Sequence, residues 1–163
     1  MPYIRVWVHF VWSTKHREPL LTDKVRASLF EHIKENALSK NIFLAEVNGY
    51  TDHIHCLVSL KATQTLAYVA QHIKGESSYW VNSHELTASN FQWQREYYAV
   101  SVGESEIGRI RRYIQNQETH HAKQSFDEEL ETLKKKGFVK YVDGFSSYDP
   151  DHKWSGNNGK YSG

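Results

Sequence analysis

The chain of 163 residues has little cysteine, no long apolar run and almost no net charge. Its single cysteine, Cys56, excludes an internal disulfide and any metal site built from several thiolates. The longest apolar stretches, such as residues 6–8, fall far short of the roughly 20 residues that cross a bilayer. The first five residues do not have the pattern of a secretion signal. We therefore expect a cytoplasmic protein without a membrane partner.

The balance of charges excludes a protein that binds nucleic acid through bulk positive charge, because the net charge is only +1. The acids are unevenly placed, however, with four of the 19 between residues 127 and 131. The rest of the chain is basic enough to form a local basic groove. The length suits a single domain. We predict one main domain over residues 1–122 and a C-terminal helix and tail over residues 123–163, with a mobile end.

The pattern of apolar residues predicts the order β-α-β-β-α-β followed by two further helices. Strands are expected at 3–13, 41–48, 52–60 and 97–102, and helices at 22–39, from 63 or 64 to about 84, at 105–121 and at 126–136. This order indicates an α+β fold of the ferredoxin-like type, with a four-stranded antiparallel sheet and two helices on one face. We expect the other face of the sheet to be free.

Two histidines stand on the predicted free face of the third strand. Ile54 and Cys56 point toward the helices, so His53 and His55 point the other way. Two imidazoles two residues apart on a strand can bind one divalent metal ion. The alternative is that both are surface histidines with local hydrogen bonds.

The third helix carries a tyrosine beside its buried stripe. Arg109, Tyr113 and Gln117 follow one another at intervals of four residues, next to Ile110 and Ile114. This pattern suits a tyrosine nucleophile near basic groups, with a carboxamide oxygen one turn away as a third metal ligand. The alternative is that Tyr113 packs as an edge residue and Gln117 is solvated.

Together these motifs resemble the HUH single-tyrosine transposases of small bacterial insertion sequences, including the repeat-associated tyrosine transposases. His53-Ile54-His55 matches the His-hydrophobic-His motif, and residues 113–117 (YIQNQ) match the tyrosine helix. The basic loop at residues 13–17 (STKHR) and residues 73–75 (IKG) also match family positions. The likeness extends from about Val8 to His121, and residues after 123 carry no motif of the family.

The resemblance implies a DNA transposase that cleaves and rejoins strands through a 5′-phosphotyrosine intermediate. Tyr113 would be the catalytic nucleophile. His53, His55 and Gln117 would hold a divalent ion, and these nitrogen and oxygen ligands with a phosphate substrate favour Mg²⁺ or Mn²⁺. Cleavage that conserves the bond energy in a phosphotyrosine needs no nucleotide cofactor.

The resemblance also implies a homodimer that binds single-stranded DNA with hairpin ends. Trp7 and His9, on the outer face of the first strand, would lie near the metal or stack on a base. Basic residues that could contact phosphates are Lys15, Arg17, Lys74, Arg109, Arg111 and Arg112. For each of these six, the alternative is a solvated surface charge.

Two other functions are compatible with these residues. One is a nickase of the replication-initiator or relaxase type, which shares the chemistry but usually carries further domains. The other is a non-catalytic ferredoxin-like module that binds nucleic acid on its free sheet face. Such modules display aromatic residues on their central strands, whereas the third strand here displays two histidines.

Overall fold

A four-stranded antiparallel sheet forms the centre of the fold. In the computed structural model, which describes residues 2–121 and 125–135, its strands are β1 (Val6–Ser13), β2 (Phe43–Gly49), β3 (His53–Leu60) and β4 (Tyr98–Val102). Their order across the sheet is β2-β3-β1-β4, and all neighbours are antiparallel. The predicted ferredoxin-like arrangement is confirmed.

Two helices cover one face of the sheet and bury its core. Helix α1 (Asp23–Ser39) begins after Thr22, whose side chain accepts a hydrogen bond from the amide of Val25. Helix α2 spans Leu66–Ser83. Apolar residues of both helices pack against the inner faces of β1 and β3, and the core includes Phe10, Leu29, Ile54, Cys56, Val58, Val69 and Ile73.

The prediction that α2 begins at residue 63 or 64 is wrong. Gln64 belongs to a turn, because its amide donates to the carbonyl of Lys61 and its side chain accepts from the amide of Lys61. Thr65 is the N-cap instead, with its hydroxyl accepting from the amide of Tyr68 at 3.0 Å.

The single helix predicted at 105–121 is interrupted in the structure. A 3₁₀ turn at Glu104–Glu106 leads into α3 (Ile107–Gln115), and a separate short helix α4 covers Gln117–His121. Asn116 lies between them with φ −97° and ψ 21°, outside the α-helical range. The sequence pattern did not predict this break, because the four-residue spacing of Arg109, Tyr113 and Gln117 continues across it.

The prediction that the second face of the sheet is free is also wrong. Helix α3 packs against β2 and β3, with Ile110 and Ile114 buried. The high amphipathicity of α3 explains this placement, since a helix with one apolar stripe needs a surface to bury it. The two histidines of β3 therefore lie beneath a helix rather than in solvent.

The described chain divides into two units, Met1–Phe126 and Asp127–Gly163. Helix α5 spans Phe126–Lys135, and its first turn carries Asp127, Glu128 and Glu129, which suits the positive end of the helix dipole. The tail predicted after residue 136 lies outside the described residues. Among the residues that are described, no helix is long and apolar enough to cross a membrane.

Candidate active site

A tight connection between β2 and β3 determines where β3, the strand of His53 and His55, begins. Gly49 lies so close to this strand that a Cβ atom there would come within 2.1 Å of the carbonyl oxygen of His53. The same carbonyl accepts a 3.0 Å hydrogen bond from the amide of Tyr50. Only glycine allows this close approach, so the hairpin determines where His53 enters the sheet.

His53 and His55 are both fully buried, although the sequence placed them on an open face. The ring of Tyr113 lies against His55, and the rings of His121 and Phe126 lie against His53. The alternative of two surface histidines with local hydrogen bonds is therefore wrong. A buried pair of imidazoles needs polar partners to offset the loss of water.

Each of the two histidines has its Nδ1 atom in a hydrogen bond. His53 Nδ1 lies 2.8 Å from a carboxylate oxygen of the neighbouring Asp52. His55 Nδ1 lies 2.9 Å from Nε2 of His9 on β1. Nε2 is the other nitrogen of each ring, and in His53 it faces Gln117. This is the arrangement in which metal-binding histidines are usually held in proteins.

Gln117 lies beside this pair, because the break at Asn116 turns the start of α4 toward the sheet. It is fully buried, and its Oε1 atom is 3.2 Å from Nε2 of His53. The alternative of a solvated Gln117 is therefore wrong. The structure brings His53, His55 and Gln117 close together, with Gln117 reaching the histidines from a separate helix, and their role as metal ligands stays a prediction.

Tyr113 lies on the last turn of α3 and is half-buried. Its ring packs edge-on against His55, with the ring centroids 5.7 Å apart. One edge of the tyrosine is thus close to the histidine pair while part of the residue remains accessible to solvent.

The donor set fits a divalent cation. A His53 ring that donates Nδ1–H to Asp52 carries a lone pair on Nε2, and Oε1 of Gln117 is also an acceptor. Nε2 of His53 and Oε1 of Gln117, 3.2 Å apart, need either a proton or a cation between them. Ligands at about 2.1 Å around an octahedral Mg²⁺ are separated by about 3 Å, which matches this spacing.

The basic loop after β1 lies next to this site. Thr14 donates its amide to the carbonyl of Asp52 at 2.7 Å, which holds the loop at the His53 end of β3. Arg17 stacks over the ring of Phe126 at 4.7 Å, the same ring that stacks on His53. His16 and Arg17 both have left-handed backbone angles, with φ of 57° and 54°, which is uncommon for residues other than glycine.

Lys15, in the same loop, borders an open polar cavity of about 220 Å³. Its ammonium group donates a 2.9 Å hydrogen bond to the side chain of Gln92. The other residues that line the cavity are His16, Glu18, Leu20 and Asn90.

Lys74 lies on α2 and is half-buried. Its ammonium group donates to the main-chain carbonyls of Arg95 and Glu96, at 2.7 and 3.2 Å. Burial lowers the pKa of Lys74 to about 8, and the nearby carboxylate of Glu96 opposes this shift. These contacts anchor the segment that leads into β4.

The three predicted arginines of α3 are exposed. Arg109 forms an ion pair with Glu106 at 3.0 Å. Arg111 forms one with Glu46 of β2 at 3.3 Å. Exposed pairs of this kind contribute little to stability, so these side chains can exchange their partners for phosphate groups at little cost.

Neither Asp52 nor Asn48 was among the predicted site residues. Asp52 directly precedes the histidine motif, and that adjacency was an available signal. Asn48 donates hydrogen bonds to two carbonyls at the end of α3, which depends on a tertiary contact between residues more than 60 positions apart. His9 was predicted to lie near the metal or a base, and the structure places it against His55.

In comparison with known proteins, the chain matches a family model and resembles solved structures. Residues 3–117 match the family model described as IS200-like transposase. The fold is similar to that of a candidate transposase from Deinococcus radiodurans R1, with a TM-score of 0.57, 24% identity and coverage of 72% of this chain and 95% of the other. It is also similar to a REP-associated tyrosine transposase bound to a REP hairpin, with a TM-score of 0.55, 17% identity and coverage of 74% and 72%. The chain has no match among curated protein sequences.

Proposed function

Because the chain belongs to the IS200-like transposase family, we propose that it cleaves and rejoins single-stranded DNA through a covalent link to Tyr113. The observation that carries this proposal is the position of the Tyr113 ring against His55, while His53 and Gln117 approach each other within 3.2 Å. A nucleophile and a set of metal ligands thus meet within one chain.

In the proposed reaction, the hydroxyl oxygen of Tyr113 attacks the phosphorus of a DNA phosphodiester. The new bond joins this oxygen to phosphorus, and the bond from phosphorus to the 3′ oxygen breaks. The tyrosine loses its proton, and the departing 3′ oxygen takes one up to become a 3′-OH. A DNA 3′-OH can reverse the step and join strands, since the phosphotyrosine preserves the energy of the original bond.

Tyr113 needs help, because the pKa of a free tyrosine is about 10 and its hydroxyl is a weak nucleophile at neutral pH. In the proposal, His53, His55 and Gln117 hold Mg²⁺ or Mn²⁺. The bound ion would neutralise charge on the phosphate oxygens and polarise the phosphorus.

The arrangement supports a site assembled in cis. Tyr113 and Gln117 lie beside histidines of their own chain. A homodimer stays a prediction. In a cis site, each subunit of such a dimer would carry a complete set of residues.

We further propose that the DNA partner has hairpin ends. The similar REP-associated transposase is bound to a REP hairpin, and the basic loop of this chain lies next to the histidines. Six basic residues are the proposed phosphate contacts: Lys15, Arg17, Lys74, Arg109, Arg111 and Arg112. Phosphate contacts position the strand without reading its sequence.

The test is formation of a covalent protein–DNA adduct. Single-stranded oligonucleotides that cover the flanks of the gene are incubated with protein and Mg²⁺ or Mn²⁺, and the products are separated on a denaturing gel. We expect an adduct with wild type that disappears with Tyr113→Phe, with His55→Ala, with chelator and with duplex DNA. Tyr79→Phe is the matched control, because Tyr79 is 74% exposed on α2 and should leave the adduct unchanged.

An adduct that persists in Tyr113→Phe would overturn the assignment of the nucleophile. Hairpin binding without any adduct would favour the non-catalytic module instead. That alternative is already less well supported, because α3 covers the part of the sheet that such a module would use. Cleavage without joining of a second strand would favour a nickase.

A further inference from the structure

His9 occupies the middle of β1, on the same face of the sheet as the histidine pair. Its strand neighbours are Leu57 on β3 and Val100 on β4, so His55 is its diagonal neighbour on β3. Diagonal neighbours on one face of an antiparallel pair are within reach of long or aromatic side chains. His9 is only 3% exposed, which places its imidazole inside the protein.

The rings of His9 and His55 are stacked as well as hydrogen bonded. Their centroids are 5.1 Å apart and their planes differ by 23°. The bond joins Nε2 of His9 to Nδ1 of His55 over 2.9 Å. A neutral imidazole has one donor and one acceptor nitrogen, so one ring must donate in this contact and the other must accept.

The direction of this bond decides whether His55 can bind a metal ion. If His55 Nδ1 donates, its Nε2 atom carries a lone pair and is a ligand. If His9 Nε2 donates, the proton of His55 lies on Nε2, and that atom can no longer bind a cation. Only the first direction is compatible with the proposed function.

We propose that His9 is a positioning residue that accepts a hydrogen bond from Nδ1–H of His55, which keeps the lone pair of His55 on Nε2 and fixes the orientation of its ring. This inference rests on the proposed function, in which His55 is a metal ligand. His9 acts on His55 as Asp52 acts on His53, where a carboxylate accepts from Nδ1 at 2.8 Å. His9 differs from Asp52 in being a neutral acceptor, so it orients the ligand without adding negative charge to the site.

The binding test measures Mn²⁺ affinity of the purified full chain without DNA, by calorimetry. His9→Leu removes the acceptor and should weaken Mn²⁺ binding by roughly 10- to 100-fold. His9→Gln keeps an acceptor oxygen near Nδ1 of His55 and should restore most of the affinity. Circular dichroism and the melting temperature without metal check that each variant is folded. Equal affinity in wild type and a folded His9→Leu variant would overturn the inference.

A second measurement uses the wild-type protein, so it does not depend on whether a variant folds. Long-range nitrogen–proton NMR spectra of metal-free protein labelled with nitrogen-15 in its histidines report which ring nitrogen carries the proton. We expect both His9 and His55 to be protonated on Nδ1. A proton on Nε2 of His55 would show the opposite bond direction and contradict the role of His9.

Failure of the inference can be distinguished from failure of the proposed function. Tyr113→Phe should bind Mn²⁺ like wild type and form no DNA adduct, whereas His55→Ala should lose both. If wild type binds no Mn²⁺ and forms no adduct, the proposed function fails. If wild type binds Mn²⁺ through His55 and His9→Leu binds equally well, only the role of His9 fails.

Discussion

The side-chain amide of Asn48 on β2 donates a 2.9 Å hydrogen bond to the carbonyl of Ile114 in the last turn of α3. The same amide also reaches the carbonyl of Gln115 at 3.1 Å. The last carbonyls of a helix have no partner within the helix, and here a strand residue supplies one. Helix α3 ends at this point, and the chain resumes as α4 with Gln117 turned toward His53. Asn48 therefore links the strand next to the histidines with the position of both helices.

Replacement of Asn48 tests this link. Asn48→Asp preserves the size of the side chain but replaces the donor by a carboxylate that faces two carbonyls. We expect a loss of about 1–3 kcal/mol in the free energy of unfolding, seen as a lower melting temperature, together with weaker Mn²⁺ binding. Asn48→Ala removes the donor without adding charge and should be less severe. A variant that melts like wild type would contradict the anchoring role.

Substitution of Gly49 should disturb the entry of His53 into the sheet. Gly49→Ala adds a Cβ atom that would overlap the carbonyl of His53, so the backbone must shift at a cost of about 1–3 kcal/mol. Gly75→Ala is the matched control, since a Cβ there meets nothing within 4 Å. Because Gly75 is inside α2, alanine should stabilise the protein by up to about 1 kcal/mol. Equal effects of the two substitutions in a denaturant titration would refute this account.

Mixing of two inactive variants distinguishes a cis from a trans site. If each chain carries its own complete site, Tyr113→Phe and His55→Ala will not restore adduct formation when they are mixed. A trans site would combine an intact tyrosine from one variant with intact metal ligands from the other. Recovery of adduct in the mixture, measured after co-refolding, would therefore contradict the cis arrangement.

Lys74 should make stability depend on pH in the alkaline range. Its pKa is about 8 in the folded protein and about 10.4 when unfolded, so between these values the unfolded state binds more protons. The contribution of Lys74 to the free energy of unfolding therefore rises as pH increases from 8 to about 10. In Lys74→Met this rise should be absent when unfolding is followed at pH 7, 8, 9 and 10. Parallel curves for wild type and variant would contradict the lowered pKa.

The sequence predicted the framework because strands and helices leave local periodic patterns. The alternation in β3 correctly separated Ile54 and Cys56, which face the core, from His53 and His55. It could not predict that those histidines are buried, because their cover comes from residues about 60 positions away. Likewise, the four-residue spacing of Tyr113 and Gln117 put both on one side of a helix, and both lie near the histidines, but the spacing concealed the break at Asn116.

The sequence by itself determined the order of the elements, the face of β3 that carries the histidines, and the spacing of tyrosine and glutamine. Each of these properties depends on residues that are close in sequence, so it can be read from the periodicity of helices and strands. Only the tertiary structure decided that His9 meets His55 and that α3 and α4 lie over the sheet. These contacts depend on strand register and on the surface against which a helix buries its apolar stripe. Both result from packing between parts of the chain that are distant in sequence.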